Sequence, residues 1–191
     1  MAKAINFAGV KDIHIIWQGP LSIETVRRRD SPDQQKHPDY GIYQIYGSHA
    51  ITGPHTLLYV GKADKTTFSN RLDKHENEWT RWEPEPVQIY LGRVARRDSD
   101  QPTDNQWSLM IDQAEAIIIY FSAPSYNCAR VRDLRYKNDD LVLVNHKQRG
   151  RLPYCMSTIT ERLYPDNGLS LIDGRPTANT SSGEEDVVRR R

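Results

Sequence analysis

The sequence predicts an α/β domain in which a β-hairpin and a third strand are interleaved with two long helices. Three observations carry that expectation. Residues 40–46, Tyr-Gly-Ile-Tyr-Gln-Ile-Tyr, are aromatic and β-branched, the residue types that suit a pleated strand. Val87, Ile89 and Leu91 recur at every second position, as one face of a strand does. Thr103-x-x-Gln106 is a capping-box pattern at the head of a long apolar run.

The 191 residues suffice for one domain with a core of its own, plus additions at either end. Residues 1–38 read as an N-terminal extension. It holds a short strand at 13–17 and turn chemistry at Ser31-Pro32-Asp33 and His37-Pro38-Asp39. The main domain then covers 39–130. After the strand at 40–46, Gly53-Pro54 makes a turn and residues 57–60 return as the second strand of a hairpin. Gly61 is expected to break that strand and to let other groups approach its backbone.

A helix is expected over 67–82, with Phe68, Leu72 and Trp79 on one apolar stripe. Arg71 and His75 stand four apart, so their side chains share a face. Pro84 and Pro86 end that helix, and 86–94 form the third strand. The helix opened by Thr103 runs to about residue 121, burying Trp107, Ile111, Ala114 and Ile118. Residues 131–165 read as a basic extension packed on the domain, with a strand at 141–144 and a helix near 157–163. Beyond it, Asn, Gly, Ser, Thr and charge dominate 166–191, the composition of a disordered tail.

The formal net charge is +1, so there is no global basic signal, but the charge is uneven. Residues 125–165 hold eight basic groups against four acidic ones. Arg130, Arg132, Arg135, Lys147, Arg149 and Arg151 are the candidates there for contacts to a DNA backbone. Arg27, Arg28 and Arg29 form a second cluster, and either cluster alone reads equally as a solvated face. Two cysteines without a Cys-x-x-Cys support neither a disulfide framework nor a structural zinc. No apolar run reaches the roughly 18 residues of a membrane helix, and no signal-peptide core is present, so the expected setting is cytoplasmic and the expected partners exclude a membrane.

Several residues suit chemistry. Glu115 lies in Ala-Glu-Ala-Ile-Ile-Ile, where a carboxylate either points to solvent or, if buried, needs a partner. A divalent metal ion is one candidate and an arginine is another. One carboxylate with water and a phosphate oxygen suits Mg²⁺, which binds oxygen, keeps much of its hydration shell and acts as a Lewis acid. Tyr43 and Tyr59 are either packing residues or proton-handling phenols. For the second role they need a cation or charged donor nearby, because a free phenol titrates near 10; Lys62 and His75 qualify by type. Arg71 fits a phosphate clamp, or else an ion pair with Asp73, Glu76 or Glu78. His75 suits a proton relay or a place at the core edge. Asn127 either orients a side chain or satisfies loop backbone. The segment Val144-Asn145-His146-Lys147 lacks the upstream histidine that a His/Asn nuclease motif needs.

In order and spacing these residues resemble the GIY-YIG nuclease superfamily across about 40–130. The first motif stands intact as Gly41-Ile42-Tyr43 and the second as Tyr59-Val60-Gly61, followed at once by Lys62. Ser69-Asn70-Arg71-Leu72 matches the segment with the family's arginine, and His75 follows four residues later. Glu115 matches the metal-binding glutamate, and Asn127 closes the set in a Tyr-Asn pair.

The resemblance implies a small α/β (α+β) domain with a central three-stranded antiparallel sheet flanked by helices. It implies cleavage of DNA phosphodiesters with one divalent ion, Mg²⁺ or in its place Mn²⁺, on Glu115. Tyr43 or Tyr59 then helps to deprotonate water, Arg71 holds the phosphate, Lys62 and His75 assist with charge and protons, and Asn127 supports the site. The spacer between Tyr43 and Tyr59 is longer than usual, which suggests an extended hairpin; that from Tyr59 to Arg71 is slightly long. The compact chain resembles stand-alone restriction-type members, which implies double-stranded DNA as substrate and a homodimer. A structure-selective repair or mobile-element nuclease, and an inactive nucleic-acid-binding module of the same fold, are the alternatives.

Overall fold

A computed structural model describes residues 9–30, 40–74, 86–95, 102–159, 169–172 and 175–178. The strands are β1 (Lys11–Leu21), β2 (Gly41–His49), β3 (Gly53–Ala63), β4 (Gln88–Ala95), β5 (Leu141–Lys147), β6 (Cys155–Ser157), β7 (Leu169–Ile172) and β8 (Arg175–Ala178). The helices are α1 (Ile23–Arg29), α2 (Phe68–Asp73) and α3 (Asp104–Ser122).

Six strands form one mixed sheet in the order β3-β2-β4-β1-β5-β6, curled into a half-barrel. This corrects the expectation of a small three-stranded antiparallel sheet. The antiparallel run β3-β2-β4 is present, but it is only half of the sheet. The other half comes from segments read as extensions. β1 runs eleven residues, pairing antiparallel with β4 and parallel with β5. The physical reason lies in its alternation. Ile13, Ile15 and Trp17 all point to one face, as do Leu141 and Leu143 of β5, and both stripes are buried only within a shared sheet. The Trp17 Nε1 donates to Asn145 Oδ1 at 2.8 Å, tying β1 to β5 across that buried face.

Each face of the sheet has its own helices. Ile13, Ile15, Trp17, Ile42 and Val60 pack with Ile111, Ala114, Ile117 and Ile118 of α3. On the opposite face Tyr43, Ile45 and Leu91 pack with Phe68 and Leu72 of α2 and Ile23 and Val26 of α1. Arg27 of α1 donates twice to Asp73 of α2, at 2.8 and 2.9 Å, and the Ser69 amide donates to Asp30 at 2.5 Å. The capping box of α3 forms as its sequence specifies. The burial of α3 is wider than a stripe. Every residue from Gln113 to Ile119 is buried, because Leu134, Leu152 and Met156 join its core cluster.

Other expectations are adjusted. β3 is not broken at Gly61 but runs on to Ala63. Hairpin β2–β3 takes up its long spacer with two shifts of register. α2 starts at Phe68 behind the Thr67 cap, and residues 75–85, with His75, Trp79 and the rest of the expected helix, lie outside the described residues. β6 ends at Ser157, residues 158–159 are helical as expected near 157–163, and residues 160–168 lie outside the described ones. Within the expected tail, β7 and β8 pair antiparallel. Among the described residues no helix is long and apolar enough to cross a membrane.

Candidate functional site

The open end of hairpin β2–β3 assembles the candidate side chains. Tyr43 pairs with Gly61 in the ladder and Tyr59 with Ile45, so both phenols lie on the face toward α2. Their ring centroids are 6.1 Å apart. Gly61 is there because nothing larger fits. A Cβ on it would lie 2.5 Å from the Tyr43 hydroxyl and 2.7 Å from Cε1 of Tyr59. The glycine of the second motif thus makes room for the tyrosine of the first.

Tyr43 is wholly buried. Burial, and then the neighbouring Tyr59, push its phenol well above the ordinary value; Arg71 opposes that rise and Glu115 adds to it. Tyr59 is only half-buried. Arg71 reaches the pair from α2. Its Nε is buried and has no hydrogen-bond partner among the described residues. The acid two residues on, Asp73, pairs with Arg27 instead. Glu76 and Glu78 lie outside the described residues.

Glu115 approaches from α3 and is 9% exposed. Burial raises its pKa, while Arg130, Lys62 and Arg71 work against the rise and Asp112 with it. Its partner is an arginine, one of the two candidates the sequence leaves open. Arg130 Nη1 donates to Glu115 Oε2, and Nη2 donates to Asp112 Oδ1 at 3.1 Å.

Asp112 is the residue that sequence reasoning missed. It accepts from Lys62 Nζ at 2.5 Å, from the Tyr136 hydroxyl and from Arg135 at 3.4 Å. Partial burial opposes its ionisation, but the hydrogen bonds from Lys62 and Tyr136 and the charges of Lys62 and Arg130 hold it well below the usual carboxylate range. The signal was available: positions 112 and 115 stand three apart, on one face of a helix.

Asn127 has a structural job with a direct bearing on the site. Its Oδ1 accepts from Val60 N and its Nδ2 donates to Val60 O, both at 2.9 Å. With Ser125 N on Leu57 O and Tyr126 N on Leu58 O, the loop after α3 docks along β3 and holds the strand bearing Tyr59 and Lys62.

The basic residues form two groups on different elements. Arg130 and Arg135 belong to the carboxylate cluster, with Arg132 exposed between them. Lys147 ends β5, and Arg149 and Arg151 follow it. Their turn is anchored to β2 through Gln44 Nε2 on Arg149 O at 3.5 Å and Arg151 N on the Tyr46 hydroxyl at 2.9 Å. Arg149 lies 5.9 Å from the Tyr154 ring centroid. Elsewhere, His14 bridges Asp12 and His146, each at 2.8 Å, an arrangement absent from the sequence reading.

The donors beside Glu115 are carboxylate oxygens, and among the described residues no three His, Cys, Asp or Glu side chains converge to hold a metal. Glu115 Oε1 accepts no hydrogen bond among the described residues, and the buried Arg71 Nε is orphaned beside the site. The one open oxygen, Glu115 Oε1, fits a hard, largely hydrated ion such as Mg²⁺ on one carboxylate, and not an ion that needs thiolates or imidazoles, whereas the Arg71 Nε–H is a hydrogen-bond donor and suits an anion. No family model, no curated protein and no solved structure matches this chain.

Proposed function

We propose that this chain is a divalent-metal-dependent endonuclease that hydrolyses phosphodiester bonds in double-stranded DNA, of the restriction type. The observation that carries the reading is the grouping of Tyr59 and Arg71 with the buried Tyr43 on the α2 face of hairpin β2–β3, the two rings 6.1 Å apart, while Lys62 at the same strand end bonds Asp112 of α3, one helical turn from Glu115. Phosphodiester hydrolysis needs a site for the anionic phosphate, an acceptor for the proton of water and stabilisation of the departing oxyanion.

Arg71 supplies the first, with its unpartnered Nε a donor for a phosphate oxygen. Tyr59, only half-buried, is better placed than Tyr43 to take the proton, because burial keeps the Tyr43 phenol protonated. Tyr43 then positions rather than abstracts. Lys62 adds positive charge at the same strand end. Mg²⁺ on Glu115, or Mn²⁺ in its place, supplies Lewis-acid polarisation of the phosphate. The reading includes a homodimer, one site for each strand, acting in the cytoplasm.

One observation favours a second reading, a nucleic-acid-binding module without hydrolysis: Glu115 is held by Arg130. Plasmid digestion separates the two. Wild type and Glu115→Gln are incubated with mixed-sequence supercoiled DNA in Mg²⁺ and in Mn²⁺. Discrete fragments from wild type alone are the expected result. Nicking confined to junctions or lesions replaces the restriction type with a structure-selective enzyme. No cleavage of any substrate in either ion overturns the nuclease reading.

A further inference from the structure

Among the described residues, Arg130 is the side chain that touches both Asp112 and Glu115 of α3. Three features set this contact apart from a surface ion pair. All three partners are mostly buried, with side-chain exposures of 23% for Arg130, 15% for Asp112 and 12% for Glu115. The Arg130 backbone lies in the left-handed region, at φ 68°, a conformation that a residue with a Cβ adopts at some strain. The two acids also depend on Arg130 unequally. Asp112 keeps Lys62, Tyr136 and Arg135 whether or not Arg130 is present. Glu115 has no other hydrogen-bonded cation among the described residues.

We propose that Arg130 is an internal cation that occupies Glu115 in place of a divalent metal ion and must leave before the ion binds. The inference rests on the reading of Glu115 as the metal ligand. A buried carboxylate does not stay uncompensated, so one cation is exchanged for another. The guanidinium fork that grips two carboxylates grips a phosphate equally well. A DNA phosphate arriving at the site therefore draws Arg130 away and opens Glu115 to the ion. Metal and DNA then bind with positive coupling, each raising the affinity for the other.

The test is Mn²⁺ binding to the full chain without DNA, followed by the paramagnetic resonance signal of the free ion. Arg130→Gln should bind Mn²⁺ about tenfold more tightly than wild type, the scale of one charge-assisted hydrogen bond. Arg130→Lys keeps the charge but loses the fork, and should fall between the two. Glu115→Gln should bind more weakly than wild type. If Arg130→Gln binds no more tightly than wild type while Glu115→Gln still loses affinity, the exchange is overturned and the metal reading stands. If no variant binds Mn²⁺ at millimolar concentration, the metal reading falls and the exchange with it. Should Arg130→Gln not fold, Arg130→Lys decides: affinity equal to wild type overturns the exchange.

Discussion

Changing Asn127 to aspartate replaces one side-chain nitrogen with oxygen, and it should destabilise the protein at neutral pH at least as much as deleting the whole amide. The Asn127 amide meets the Val60 peptide group twice, as acceptor and as donor, at 2.9 Å each. Asn127→Ala removes both bonds. At about 0.5–1.5 kcal/mol net for each, the loss is roughly 1–3 kcal/mol. For a chain of this length that lowers Tm by about 2–4 °C per kcal/mol.

Aspartate keeps the bond from Val60 N but sets a second anionic oxygen against the Val60 carbonyl, where the wild type has a donor. Protonation restores the donor, so the folded state raises the pKa of the new carboxyl. Its favourable contribution is therefore present in acid and lost as pH rises through the raised value. Urea unfolding of wild type, Asn127→Ala and Asn127→Asp at pH 7 and pH 4 reads this directly. A shift in midpoint at constant m reports stability, and the alanine variant subtracts the acid sensitivity of every other group. Two results would refute the reasoning: a loss in Asn127→Ala below about 0.5 kcal/mol, the range of an uninvolved surface change, or an Asn127→Asp protein as stable as wild type at pH 7.

Three further outcomes follow from contacts described above. Asp112 is held below its ordinary value of 3.8, so the stability it contributes is present above that value and fades as pH falls below it; Asp112→Asn should flatten the acid limb of a stability–pH curve measured by denaturant titration. Burial pushes Tyr46 from 10.0 up to about 12, so its contribution is complete below pH 10 and is lost as pH rises toward 12, about 2–3 kcal/mol in all. The stability difference between wild type and Tyr46→Phe should shrink across that interval, and a constant difference would contradict it. Gly61→Ala forces a methyl group against both phenols and should destabilise by about 1–3 kcal/mol; under the proposed nuclease function, cleavage should fall more steeply than DNA affinity as the rings are displaced.

What could be read in the sequence follows the range of the interactions involved. The strands bearing Tyr43 and Tyr59, the strand at Ile89 and Leu91 and the capped helix bearing Glu115 rest on alternation, aromatic content and a four-residue cap, all of them local. The need of Glu115 for a partner was legible too, since a carboxylate among isoleucines cannot stand alone. The parallel pairing of β1 with β5 joins residues some 130 positions apart, and no local pattern encodes it. Ile13, Ile15 and Trp17 looked like a short accessory strand because their neighbours in the sheet are remote. Asp112 escaped notice because its four partners, Lys62, Arg130, Arg135 and Tyr136, come from three places in the chain. The sequence marks Arg130 only as a candidate contact for DNA; its grip on Glu115 depends on how the loop after α3 folds back.

The lashing of residues 125–127 along β3 also bears on how two copies of this chain can meet. An exposed edge strand invites a neighbour to add its own strand, yet here the outer backbone groups of Leu57, Leu58 and Val60 are already taken from within the molecule. The opposite border of the sheet ends in β6, three residues long, which is too short a template for stable strand addition. At the stretch of β3 from Leu57 to Val60 and at β6, a second copy of the chain would therefore meet side chains and not an open strand edge, so substitutions that change surface chemistry there should matter more to association than those that add β-propensity.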